Sequence, residues 1–189
     1  MKVLAFAATN SRVSINRALV EHAAMRLKAE VLPEAEIEFL DLNDYEMPIY
    51  SIDREGETGI PAKAQEFYDQ IGGADAILIS FAEHNGSVTV AWKNIFDWMS
   101  RIDVKLWQNK PLLVLAATPG PRAGAGVLQS QEMIAPFFGA DIRGMLGVGK
   151  WHDVWDTEAR TLTRTEDIEA LGKALSGLAP KPEDRDLME

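Results

Sequence analysis

Apolar and polar positions along the chain fall into alternating blocks of two kinds. Lys2 to Ala8, "KVLAFAA", is a short apolar run without clean alternation, the pattern of a strand covered on both faces in a parallel sheet. A polar turn, "TNSRVS", follows, and from Ser14, a plausible N-cap, Ile15, Leu19, Ala23 and Leu27 recur at four-residue steps, which predicts a helix. Residues 36–42, "EIEFLDL", alternate as a second strand, and 45–61 read as a long loop punctuated by Pro and Gly. Long loops inside compact domains are often functional. Pro61 opens a helix to about Gly72, and "DAILISFA", 75–82, is a third strand.

A helix is expected from about Val88 to Arg101, with Asp97 and Arg101 spaced to pair across one turn. "KPLLVLAAT", 110–118, is a fourth strand with a Gly-rich exit, 127–138 a helix, and "ADIRGMLGV", 140–148, a fifth strand. The last helix spans about 165–178, with Thr163 and Glu166 at capping-box spacing and Ile168, Leu171, Leu175 and Leu178 as its apolar face. Residues 1–180 are expected to form a single domain, and 181–189 a flexible, solvated acidic tail. Strands alternating with helices, without an internal repeat, predict an α/β fold with a doubly wound parallel sheet. Its ligand crevice lies at the carboxyl ends of the strands, where strand order reverses.

Composition narrows the chemistry. The 189-residue chain has no cysteine, so thiolate metal sites, disulfides and a cysteine nucleophile are excluded, and any redox chemistry needs a borrowed cofactor. A net charge of −10 with no opposing Lys/Arg stripe argues against nucleic acid and anionic membrane as partners. No apolar run is long enough to span a bilayer and the N-terminus does not read as a signal peptide, so a cytoplasmic location is expected. His22, His84 and His152 are scattered, which disfavours a metal site.

Three polar or Gly-rich segments follow apolar strands and are expected at one sheet edge. "TNSRVSIN" offers Thr9, Ser11, Ser14 and Asn16, the Arg12 cation and the free N–H groups of a helix N-terminus, which together suit a phosphate. The same residues could equally serve only as turn and cap. The segment is neither a Walker loop nor a G-x-G-x-x-G fingerprint. In "AEHNGS", Glu83, His84 and Asn85 stand where strand gives way to turn, and Gly86 lets a planar ligand reach the backbone; as surface turn residues they would need no ligand. "TPGPRAGAG" lets main chain approach a ring from the opposite side. No G-x-S-x-G elbow supports a Ser/His/Asp triad.

In this order, "TNSRVSIN", "AEHNGSVTVAWKNIFDWMSR" and "TPGPRAGAG" resemble the NAD(P)H-dependent FMN reductase family of flavodoxin-like proteins, which includes quinone, azo-dye and chromate reductases. The resemblance covers about residues 2–150 and implies a five-stranded sheet of order 2-1-3-4-5 with helices on both faces. It implies FMN as bound cofactor, with NADPH or NADH as co-substrate. By position the FMN phosphate falls to Thr9, Ser11, Arg12, Ser14, Ile15 and Asn16. The isoalloxazine falls to Ala82, Glu83, His84, Asn85 and Gly86 on one side and to Thr118, Pro119 and Gly120 on the other. Two departures are visible: family members usually have Arg where this chain has Ser11, and many have Pro-Glu-Tyr-Asn at 82–85.

The resemblance further implies hydride transfer at the flavin N5 without a catalytic side chain, ping-pong turnover with a small-molecule electron acceptor, and a homodimer or homotetramer. Trp92, Phe96 and Trp98 are expected near the subunit interface, although Ile95, Phe96 and Met99, at helical spacing, suit the core and a dimer role for Trp92 or Trp98 stays open. Arg54 and Arg122 are candidate contacts to a ribose phosphate, with a solvated loop position as the favoured alternative for each. A flavodoxin-type electron carrier, or a flavin-free interaction protein on the same fold, are the competing readings.

Overall fold

A computed structural model describes residues 1–180, so the expected tail at 181–189 lies outside the described residues. The element order is β1 (Lys2–Ala8), α1 (Ile15–Glu30), β2 (Glu36–Leu40), a 3-10 turn (Leu42–Tyr45), α2 (Ile52–Thr58), α3 (Ala62–Gly72), β3 (Ala76–Phe81) and α4 (Val90–Ile102). It continues with β4 (Pro111–Ala117), α5 (Ala125–Ile134), β5 (Asp141–Val148), α6 (Trp151–Val154), a small hairpin of β6 (Trp155–Asp156) and β7 (Thr161–Leu162), and α7 (Thr165–Ser176). The five long strands form one parallel sheet of order β2-β1-β3-β4-β5, as expected for a flavodoxin-like fold.

Side chains alternate across the pleat, which divides the interior into two cores. Val3 and Ala5 of β1 pack with Leu19, Leu27, Leu171 and Leu175 of α1 and α7 on one face. Leu4 and Phe6 pack with Phe67, Trp92, Trp98 and Val127 of α3, α4 and α5 on the other. The central strands lack alternation because both of their faces are covered, and every residue of β3 is buried.

Several local expectations change. The stretch 45–61 is not continuous loop: Ser51 caps α2 by accepting from the Arg54 N–H at 3.2 Å, and Gly59, at φ 74°, ends it. Glu55 of α2 takes Arg101 at 2.9 Å, so Arg101 does not pair with Asp97, which binds Lys93 at 2.6 Å instead. The Thr163/Glu166 capping box does not form. Arg164 occupies the N-cap position and its guanidinium binds Asp167 at 2.7 Å. Trp92 and Trp98 face the chain's own core at 1% and 0% exposure, so neither is available to a partner. Trp92 stacks on Trp107 at 5.6 Å, and the Trp98 indole donates to the Pro48 carbonyl at 2.8 Å. Phe96 is partly buried against Phe138, with ring centroids 4.7 Å apart.

Candidate functional site

Strands β1, β3 and β4 are parallel neighbours in register, with Ala8 opposite Phe81 and Phe81 opposite Ala116, so the loops that follow them leave the sheet at one edge. In the first loop Thr9 is buried and its hydroxyl accepts from the Ser11 N–H at 3.2 Å. Ser14 caps α1, accepting from the Arg17 N–H at 3.3 Å. The N–H groups of Ile15 and Asn16 lie in the first turn, where no carbonyl of the helix can reach them, and the helix dipole adds partial positive charge there.

Asn16 does something the sequence did not suggest. Its side chain is buried, donating to the Ala117 carbonyl at 3.0 Å and accepting from the Ala117 N–H at 2.7 Å and the Ser80 hydroxyl at 2.8 Å. The amide thus ties α1 to the ends of β3 and β4. It offers a ligand only its backbone N–H.

In the second loop His84 and Ser87 exchange backbone hydrogen bonds at 2.9 and 3.1 Å around Asn85 (φ 53°) and Gly86 (φ 78°). Positive φ at both central residues makes a type I′ turn, for which Asn-Gly is the favoured pair. The Glu83 carboxylate turns away from this loop and accepts from the Val127 N–H at 3.1 Å, capping α5 from outside, since the N-cap position, Gly124, has no side chain to do so. A Cβ on Gly126 would stand 2.7 Å from the Glu83 Oε1 and 2.9 Å from the Gly86 carbonyl oxygen, which measures how closely the second and third loops pack.

The third loop is pinned by the exit of β5. The Thr118 N–H donates to Val148 O at 3.0 Å, Trp151 N–H to Thr118 O at 3.2 Å and Lys150 N–H to Gly120 O at 2.9 Å.

Between the three loops lies a cavity of about 430 Å³, within the range of small-molecule sites. Thr9, Ser11, Ser14, Ile15 and Asn16 line it from the first loop, Ala82, Glu83 and His84 from the second, and Thr118, Pro119 and Gly120 from the third. Arg12, Asn85 and Gly86 do not line it; Asn85 and Gly86 are taken up by the turn that aims His84. Val13, Ala117, Pro121 and Arg122 also line it; Pro121 and Arg122 fall within the Gly-rich segment that marked the loop, and Arg122, expected from the sequence to meet a ribose phosphate, lines this cavity instead. The exposed Arg122 side chain has no ion pair among the described residues, whereas Arg54 donates to the Ile49 carbonyl.

Known proteins share this arrangement of elements. A profile of the NADPH-dependent FMN reductase family matches residues 1–153. An uncharacterized Mycoplasma pneumoniae protein, a homolog of MG342, is 28% identical over 161 residues, 82% of this chain and 91% of that protein. Escherichia coli quinone reductase is 33% identical over 95 residues, 50% of each chain. A Pseudomonas aeruginosa NAD(P)H-dependent FMN reductase is 32% identical over 120 residues, 64% of this chain and 61% of that one. The chain therefore spans about half to three fifths of the length of these last two relatives.

Among solved structures, the flavoenzyme NAD(P)H:(acceptor) oxidoreductase FerB of Paracoccus denitrificans superposes with a TM-score of 0.72 at 21% identity, covering 92% of both chains. An FMN-dependent NADH-azoreductase of Bacillus anthracis, in complex with FMN, gives 0.67 at 17% identity over 95% of this chain and 99% of its own. At such identities the likeness speaks for the fold. The family match, which runs through all three loops and the sheet beneath them, is of a different weight: this chain belongs to the NADPH-dependent FMN reductase family, a family of flavin-using oxidoreductases.

Proposed function

We propose that the 430 Å³ cavity is the FMN seat and that the protein passes electrons from NADPH or NADH to a small-molecule acceptor of the quinone, azo or flavin type. One observation carries this reading. The free N–H end of a long helix and three hydroxyl side chains meet, in one cavity, the starts of two loops whose lining includes the small residues Ala82 and Gly120. A phosphate fits the first feature, because Ile15 N–H, Asn16 N–H, Thr9, Ser11 and Ser14 can all donate to it. A flat ring fits the second, because a Cβ added at Gly120 would meet nothing within 4 Å, leaving backbone open to the cavity.

FMN, when bound, supplies the hydride and electron transfer chemistry. The chain's own residues would position it: the α1 N-terminus would hold the phosphate, Ala82–His84 and Thr118–Gly120 would flank the ring, and Glu83, by holding α5, sets the gap between those loops. No side chain is assigned as acid or base. With FMN held there, nicotinamide and acceptor would use the same cavity in turn, and ping-pong kinetics are the expected outcome.

We read residues 1–180 as one FMN-binding domain, cytoplasmic, and partnered by further copies of itself rather than by nucleic acid or membrane. Exposed Met133, within the end of α5, and Phe137, after it, offer apolar surface for self-association, and no helix among the described residues is long and apolar enough to cross a membrane. The test is an FMN titration followed by tryptophan fluorescence, then initial rates with both nicotinamides against a panel of acceptors. Saturable FMN binding and parallel double-reciprocal lines are expected. FMN binding without nicotinamide oxidation would favour an electron carrier instead, and no FMN binding would remove the cofactor reading.

A further inference from the structure

A cavity of about 740 Å³ lies apart from the one between the three loops and shares no lining residue with it. Its size is within the range of small-molecule sites. One wall is α1, whose Leu19, Ala23 and Leu27 enter the core while a second stripe, Ala18, His22, Met25 and Ala29, follows at steps of four, three and four residues and lines the cavity. Another is Phe39 of β2, the edge strand of the sheet. The third is the tip of the β6–β7 hairpin, Glu158 to Thr161, which lies beyond the residues that the family profile matches. The lining is mostly apolar, and that surface is open to a guest: Met25 is 73% and Phe39 49% exposed.

The charged groups of the lining differ in what they have left to offer. Arg26 is engaged, donating to Glu30 at 2.7 Å and to the Ile168 carbonyl at 2.8 Å. Glu21 accepts from Arg17 at 3.1 Å and from Arg160. Arg160 uses one N–H on Glu21, and its other guanidinium N–H groups have no acceptor among the described residues. Its backbone stands at φ 53°, where glycine or asparagine is the usual choice, because the short hairpin loop must turn there while the Asp156 carboxylate accepts from the Glu158 and Ala159 N–H groups at 2.9 and 2.8 Å. A long cation is thus held at the rim in a conformation that does not favour it. Glu158, exposed on the same turn, opposes an anion.

We propose that this cavity binds a medium-chain monocarboxylate, its hydrocarbon laid along the Ala18, His22, Met25 and Ala29 stripe against Phe39 and its carboxylate on the free N–H groups of Arg160. The charge-assisted pair fixes one end of the guest and the apolar walls take the rest. From Ala18 to Ala29 the helix covers about 16 Å, the reach of a saturated chain of about ten to twelve carbons.

Isothermal titration of decanoate, below its micellar range, into the full chain tests this, with FMN stoichiometry and melting temperature measured alongside. Arg160→Gly removes the cation and suits the left-handed backbone, so the hairpin is kept. Ala29→Trp fills the groove from an exposed position on α1. Saturable binding of one decanoate per wild-type chain is expected. Arg160→Gly and Ala29→Trp should each bind about tenfold more weakly, and Glu158→Gln a few-fold more tightly, with FMN stoichiometry unchanged in all three. Equal decanoate affinity in wild type and Arg160→Gly would overturn the proposal, as would a wild type that shows no saturable binding. A wild-type dimer that Ala29→Trp converts to monomer would overturn it too, by showing that a second copy of the chain covers the stripe.

Discussion

Asn16 and Ser14 sit two positions apart in the lining of the cavity between the three loops, yet their side chains do unrelated work. Replacing Asn16 by Ala would leave the buried Ser80 hydroxyl and both backbone groups of Ala117 without their partner. Loss of about 2–4 kcal/mol in urea unfolding is expected. Ser14→Ala removes a cap and one hydroxyl at the phosphate position. It should cost about 1 kcal/mol of stability and weaken FMN binding about tenfold in a fluorescence titration. A residue-by-residue reading placed both at the phosphate because both follow β1 in a polar turn. Asn16 has its partner 101 residues further along the chain, and nothing local distinguishes a side chain that points back into the sheet from one that points out.

The loops and helices show the same division between local signal and distant contact. The Asn85-Gly86 turn was legible, because two consecutive positive φ values favour that pair whatever surrounds it. The cap that Glu83 places on α5 was not, since donor and acceptor lie 44 residues apart. Gly126→Ala tests the spacing of the two loops: the added Cβ runs into Glu83 and Gly86, so FMN affinity should fall about tenfold even though the helix gains up to ~1 kcal/mol of propensity. Gly56→Ala in α2 is the control. Its Cβ meets nothing within 4 Å, and the variant should gain about 0.5–1 kcal/mol in thermal or urea unfolding with FMN binding unchanged. α2 itself escaped notice because Pro48, Gly56 and Gly59 break the apolar periodicity, and its anchor is an ion pair of Glu55 with Arg101 on another helix.

For the molecule as a whole, a pH response between 7 and 5 is expected from His22 on α1. Its Nε2 is buried without a hydrogen-bond partner among the described residues, and its ring meets Trp155 edge-on at 5.7 Å. Burial, helped by the charge of Arg26, holds its pKa below the ordinary imidazole value, against a weaker opposing pull from Glu30. The unfolded chain therefore binds the proton more readily than the folded one. The contribution of neutral His22 is fully present above the unfolded value of about 6.5 and is lost as pH falls below it. Melting temperature between pH 7 and 5 should fall further for wild type than for His22→Phe, by no more than about 3 °C because the group is only half buried. Equal slopes would show that His22 carries no linkage.

The run of apolar strands, the helical periodicities and the turn chemistry of the three loops are properties of neighbouring residues, so the sequence by itself determined the α/β architecture, the sheet edge where the loops gather and the family they belong to. Tertiary structure alone decided which side chains of those loops still face the cavity. Asn16 and Glu83 hold the frame, Trp92 and Trp98 fill the core, and Arg122 enters the lining, because each outcome depends on partners brought together only when the sheet assembles.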